Sequence, residues 1–440
     1  MPTTQDHTKE HSLTPKTTQD HTVLIRSLNP RTTQDHTKSK DKNYSEVKIV
    51  GVNNNTYWEG CDLSQLEELK KVSGYMKMLD ETNAEIIGAL SRHDPRNISL
   101  IAKSVGLPNS TVAFRIKQLT KKMDLEVNAR VNFNKLGLMR AIVFVETLPG
   151  QWNTLWKALE NLGYLTYLTK CHGRFYGCYA IFAFPVECKR KLENYFDEAK
   201  RLGVLSHFLL FWTTNLCEVH PSFDWYDFKK RTWIFQWQQW IKEIKEASDY
   251  LSESLTDPKE YPAIADEKDL LLLRQLEKNG VITFKELAKV TGMPPRTVAY
   301  RYHKHLIERN LIVDHMTHFY PYPYQICDVC TFIIKFADKK ALAKFTNSLD
   351  NKPFILSYAK VLGENTLIAN TYIPKAEFPE FINSLNRLAE MHLIKNFSHV
   401  VLTLIPHKRG GVPHEFFKDS TWKCDVEKSI KRLRGMISKS

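Results

Sequence analysis

Long apolar runs are missing from this chain. No stretch of 18 or more apolar residues occurs, so no segment reads as a membrane-spanning helix. The N-terminus lacks the apolar core of a secretory signal. No glycine-rich phosphate loop of Walker type and no nucleophile elbow is present, which removes the commonest phosphoryl- and acyl-transfer motifs. Cysteine is sparse, with eight in 440 residues. They are scattered through segments that read as helix or strand, so they are expected to be buried, reduced thiols and not a disulfide framework. Acidic residues are in deficit: 49 Asp and Glu stand against 62 Lys and Arg, for a net charge of +13. That balance favours a polyanionic partner, nucleic acid first.

What is present begins with a repeat. Residues 106–119 read GLPNSTVAFRIKQL, and residues 292–306 read GMPPRTVAYRYHKHL. Each copy has a glycine-bearing turn, Gly106-Leu107-Pro108 or Gly292-Met293-Pro294. Each turn then opens a helix that carries Thr-Val-Ala-aromatic-Arg. Short apolar helices precede both turns, at Ile101-Ala102 and Leu287-Ala288. Helix, turn and second helix make a helix-turn-helix, whose second helix enters the DNA major groove. In the first copy Val112, Ile116 and Leu119 share one face, which leaves Ser110, Phe114 and Lys117 on the other. The DNA-contacting set is therefore expected to be Ser110, Thr111, Phe114, Arg115, Lys117 and Lys121, with Arg115 between the faces as a phosphate or structural contact. In the second copy it is Arg296, Thr297, Tyr300, Arg301, His303 and Lys304. Leu306 lies five residues after Arg301, whereas Leu119 lies four after Arg115. The second helix thus carries an extra residue or a shifted register.

Around these copies the chain divides into a series of expected regions. Residues 1–43 hold TTQDHT three times and are too polar to bury a core, so they read as a disordered tail. Residues 44–78 are ambiguous, with a short helix suggested by Ser64-Gln65-Leu66-Glu67. A helix-turn-helix domain is expected at 79–137 and a βαββαβ domain at 138–225. A connecting helix and linker cover 226–263. The order then recurs, with a helix-turn-helix at 264–325 and βαββαβ at 326–411, before a C-terminal helix at 412–440. The link is expected to be a long helix with Trp233, Trp237, Trp240 and Ile244 in one stripe. The fold class is α+β: two tandem repeats, each a winged helix-turn-helix-type three-helix domain followed by a ferredoxin-like domain. His315 with His318, and Cys327 with Cys330, have zinc-like spacing, but both pairs fall on expected strands, which aim residues i and i+3 apart. No metal or cofactor is expected.

This order of parts resembles the leucine-responsive/asparagine regulator family, Lrp/AsnC. The residues that carry the resemblance are the opening helix from Asp80 to Leu90 and the linker Val127–Gly137, which ends in Leu136-Gly137. The resemblance covers 79–213 well and 266–404 more loosely. It implies a cytoplasmic, prokaryotic, nucleoid-associated regulator that is not an enzyme. It also implies a RAM-type ferredoxin-like module that dimerises and senses a small effector. Here that means an intramolecular pseudo-dimer or a homodimer, on double-stranded DNA and away from membranes. The effector turn of that family usually reads Gly-x-Tyr-Asp. Here Gly173-Arg174-Phe175-Tyr176 and Gly363-Glu364-Asn365-Thr366 keep the glycine and lack the Asp, so Gly173, Arg174 and Gly363 are the effector candidates. Sirohaem decarboxylases share the architecture and give the alternative function, and an RNA- or protein-binding scaffold gives another.

Overall fold

The computed structural model describes Gly74 and residues 77–437, apart from the side chains of 404–406. The tail, the proposed helix near Ser64 and Met76 lie outside the described residues.

The first described half opens with three helices, α1 Glu81–Arg92, α2 Ile98–Val105 and α3 Asn109–Met123. Local chemistry sets their ends. The Asp80 carboxylate accepts from the Asn83 N–H and the Asn97 side chain from the Leu100 N–H, the contacts that cap a helix N-terminus. Gly106 ends α2 at φ 69°, a left-handed conformation that favours glycine. Strand β1 Glu126–Val131 follows. Next come β2 Leu138–Thr147, α4 Trp152–Asn161, β3 Leu165–Gly173, β4 Gly177–Pro185, α5 Lys189–Arg201 and β5 Leu205–Thr213. Short strands β6 Cys217–Glu218, β7 Tyr226–Asp227 and β8 Thr232–Trp233 lead into α6 Trp237–Glu246.

The second half has α7 Glu267–Lys278, α8 Phe284–Thr291 and α9 Pro295–Arg301. Capping boxes start α7 (Asp266 with Asp269) and α8 (Thr283 with Glu286). After β9 Ile312–His318 come β10 Cys327–Phe336, α10 Lys339–Asn347, β11 Ile355–Lys360, β12 Thr366–Pro374, α11 Phe378–Glu390 and β13 Ile394–Arg409. The hairpin β14 Phe417–Lys418 and β15 Thr421–Trp422 leads to the last helix, α12 Val426–Ile437. Both expected zinc-like pairs lie within strands, β9 and β10.

Strand order is β5-β2-β4-β3 in the first half and β13-β10-β12-β11 in the second, and β3 pairs with β13 to join them. The other ends also meet: Thr213 bridges Val361, and the Leu362 N–H donates to the Trp212 carbonyl at 2.8 Å. Neither set of strands is left with a long open edge there. Side-chain alternation explains the layers. On β2, Ile142 and Phe144 enter an inner core with Tyr179, Val329, Tyr372 and Leu402. Val143 and Val145 face the opposite way, onto Leu155, Leu192 and Phe196 of α4 and α5.

Three features differ from the expectation. No wing hairpin forms after α3 or α9; instead β1 pairs antiparallel with β9, so each linker strand finds its partner in the other half. The connecting helix is ten residues long and Trp233 belongs to β8, not to its stripe. Third, the strand expected at 394–404 runs on to Arg409 as β13, because His407–Arg409 pair with Thr169–Tyr167 of β3 after a break in register.

The helices that leave each half cover the opposite one. Trp237, Trp240 and Ile244 of α6 pack with Phe345, Phe354 and Phe381 of the second half. The Trp240 indole donates to Ser348 Oγ at 3.1 Å. Val426 and Leu433 of α12 pack with the first half, where Arg434 also bonds Glu198 at 2.7 Å.

Candidate nucleic-acid interface

The third helix of each three-helix unit, α3 or α9, presents one open face. On α3, Ser110, Phe114, Lys117 and Lys121 are exposed and Thr111 is half-buried, while Val112 and Leu119 are buried. On α9, Arg296 and Tyr300 are exposed and Thr297 is half-buried, over buried Val298. Phe114 is 62% exposed and Tyr300 60%, so both units hold a large ring in solvent at the equivalent position. Rings so placed suit contact with the methyl group of thymine.

The extra residue of the second unit is absorbed within the helix. Residues Tyr302–Ile307 form a π-turn, whose i to i+5 bonding takes in one more residue per turn. Leu306 thereby reaches the core, as buried as Leu119. His303 and Lys304 are exposed just inside this turn. His303 lies edge-on to Phe284 and Tyr302, and Lys304 bonds Glu308 at 2.6 Å.

The two arginines at the rim share one arrangement. Arg115 Nη1 donates to Asp80 at 2.9 Å and to Asn83 Oδ1 at 3.0 Å, tying α3 to the cap of α1. Arg301 Nη1 donates to Asp266 at 2.8 Å and to buried Asp269 at 2.7 Å. His305 Nδ1 is 3.0 Å from Asp269 as well. Asp266, Asp269 and His305 could group around a cation, but the Arg301 guanidinium already bonds both carboxylates. Both arginines tie the third helix of their unit to the start of the first. The signal was in the sequence, since each arginine lies 35 residues beyond an N-cap Asp.

The effector candidates lie at the two joints between the halves. Gly173 pairs with Val400 at φ 107°, and Arg174 Nη1 donates to Ser398 Oγ at 2.5 Å. The Gly363 N–H donates to Asp257 at 3.0 Å, beside the other joint. The turns are thus not brought together in one pocket.

An AsnC-type helix-turn-helix domain matches residues 266–304. The match falls on the second unit and stops inside the π-turn. The chain therefore carries an AsnC-type helix-turn-helix, and the Lrp/AsnC resemblance holds there. No curated protein matches the sequence. Among solved structures, siroheme decarboxylase NirDL is 13% identical over 82% of this chain and 99% of its own, with a TM-score of 0.44. A transcriptional regulator from Neisseria meningitidis, in complex with L-methionine, is 22% identical over 34% of this chain and 96% of its own, TM-score 0.28. A Pyrococcus furiosus regulator of the AsnC family is 20% identical over 30% and 88%, TM-score 0.25. The expectation of a non-enzyme is corrected here, because two solved structures that span most of this chain are of an enzyme. Among the described residues no helix is long and apolar enough to cross a membrane.

Proposed function

We propose that the chain is a sequence-specific DNA-binding regulator of Lrp/AsnC type, a tandem duplication whose halves pair as a pseudo-dimer. The observation that carries the reading is the pair of equivalent open faces, Phe114 with Lys117 and Tyr300 with His303, over buried Val112 and Val298. Pairing of β1 with β9, and the exchange of α6 and α12 between halves, support an internal dimer. In this reading the helix-turn-helix domains are 79–137 and 264–325, and the ferredoxin-like domains are 138–225 and 326–411. Because the two faces differ in residue type, the operator is asymmetric, with half-sites one or two helical turns apart. Genomic pull-down of bound DNA, followed by footprinting and sedimentation of the complex, tests this. One chain on an asymmetric site is expected. A palindrome bound by two chains, each through its first unit only, would sink the pseudo-dimer. Binding no tighter than to random DNA would sink the regulator.

A further inference from the structure

A cavity of about 310 Å³ lies between the β1–β9 ribbon and the joined sheets. Rings line much of it, among them Phe133, Tyr167, Tyr179 and Tyr320. Four cationic side chains also reach it, and three are neutralised. Arg130 bonds Asp314, its cross-strand partner in the ribbon. Arg409 bonds Glu126 at 2.7 Å, and Lys352 bonds Glu243 at 2.8 Å.

The fourth is Arg140. It lies on β2 with the alternation of Ile142 and Phe144, so it faces inward, where it lines the cavity. It is 6% exposed, and its guanidinium lies 4.4 Å from the centre of the Phe133 ring. Nε and Nη1 are buried and have no hydrogen-bond partner among the described residues. The acids near enough to act on it are Glu277 and Glu218, and neither bonds it. Glu277 is committed elsewhere, accepting from the Val412 N–H at 2.5 Å. A buried guanidinium without a hydrogen-bonded anion is costly, and its donors are suited to a carboxylate.

We propose that this cavity binds a small organic carboxylate with an apolar body. The carboxylate bonds Arg140, and the body rests among the rings of Phe133, Tyr167 and Tyr179. The volume is at the small end of ligand sites, enough for a compact molecule. The assignment rests on the cavity alone and is independent of DNA binding.

The test is titration of the full chain by calorimetry and thermal shift, with benzoate and phenylpropionate as probes. Benzyl alcohol and inorganic phosphate separate the apolar body from the anion. Saturable binding of a carboxylate probe at millimolar concentration is expected, with no binding of the alcohol. Arg140→Met should weaken it by at least about tenfold, and Arg140→Lys should retain part of it. Unliganded Arg140→Met should melt no lower than the parent, because a buried cation without a bonded partner gives way to an apolar side chain. Silence of both carboxylates, stronger binding of phosphate, or equal binding by Arg140→Met would overturn the proposal. A large fall in the melting temperature of unliganded Arg140→Met would do so too, by making Arg140 a structural residue.

Discussion

The Arg96 guanidinium lies 3.9 Å from the centre of the Tyr302 ring and 5.1 Å from that of Phe284. Arg96 belongs to the turn after α1 and Tyr302 to the π-turn of the second unit, so this contact ties the two three-helix units together. Asp94 holds the guanidinium from behind with two bonds of 3.1 Å. Arg96→Ala should therefore loosen the spacing between α3 and α9. The contact is worth about 1 kcal/mol. Affinity for a two-half-site DNA should fall several-fold, and a series of operators with altered spacing should be discriminated less sharply. Unchanged spacing preference in gel-shift titrations would show that the linker strands alone fix the separation.

The two arginine clips differ in burial, and that sets their cost. Asp269 is 1% exposed on its side chain and is held by Arg301 and His305, whereas Arg115 faces a half-exposed Asp80 and a neutral Asn83. Removing Arg301 leaves a buried carboxylate short of its main partner. Arg301→Leu should destabilise by roughly 3 kcal/mol and Arg115→Leu by about 1 kcal/mol, read from urea melts. Equal losses would mean that another partner replaces Arg301 at Asp269 at little cost.

Lys117 and Lys121 are exposed on the open face of α3. If both meet phosphates, replacing both with Ala makes the logarithmic salt dependence of DNA binding shallower by about one to two units. A slope that does not move would place this face away from DNA.

Glu277 provides a pH test of stability. Burial pushes its carboxyl up to about 7, against the Val412 N–H and the charges of Arg274 and Arg140. Its folded value lies above its ordinary 4.5, so the folded chain holds the proton more tightly. Its contribution to stability is complete below the ordinary value and is lost as the pH rises through about 7. Glu277→Gln should therefore be the more stable protein at mildly alkaline pH, by on the order of 2 kcal/mol, and the gap should close on acidification. A constant gap across a pH series of thermal melts would count against a shifted Glu277.

Local pattern was enough for most of the elements. The Gly106 and Gly292 turns marked the helix-turn-helix of each half, and the order of apolar runs after them matched the βαββαβ order. These signals are short-range: a helix end needs a cap within three residues, and a strand face needs only period two. The π-turn was legible as an extra residue before Leu306, though not as a shape.

Pairing across the chain was not legible in the same way. Nothing near Arg130 names Asp314 as its partner, and nothing in the Trp237–Ile244 stripe tells whether the first half, the second half or another chain covers it. An amphipathic helix or a linker strand specifies that a face must be buried, but not against what, since apolar burial has no direction. The sequence by itself determined the units: their elements, their order and the side of α3 and α9 left open. Only the tertiary structure decided that β1 meets β9, that α6 and α12 change places, and that Arg140 closes into a cavity. The β1–β9 pairing and the packing of Trp240 on Ser348 join residues more than a hundred positions apart, where shape complementarity between finished surfaces selects the partner.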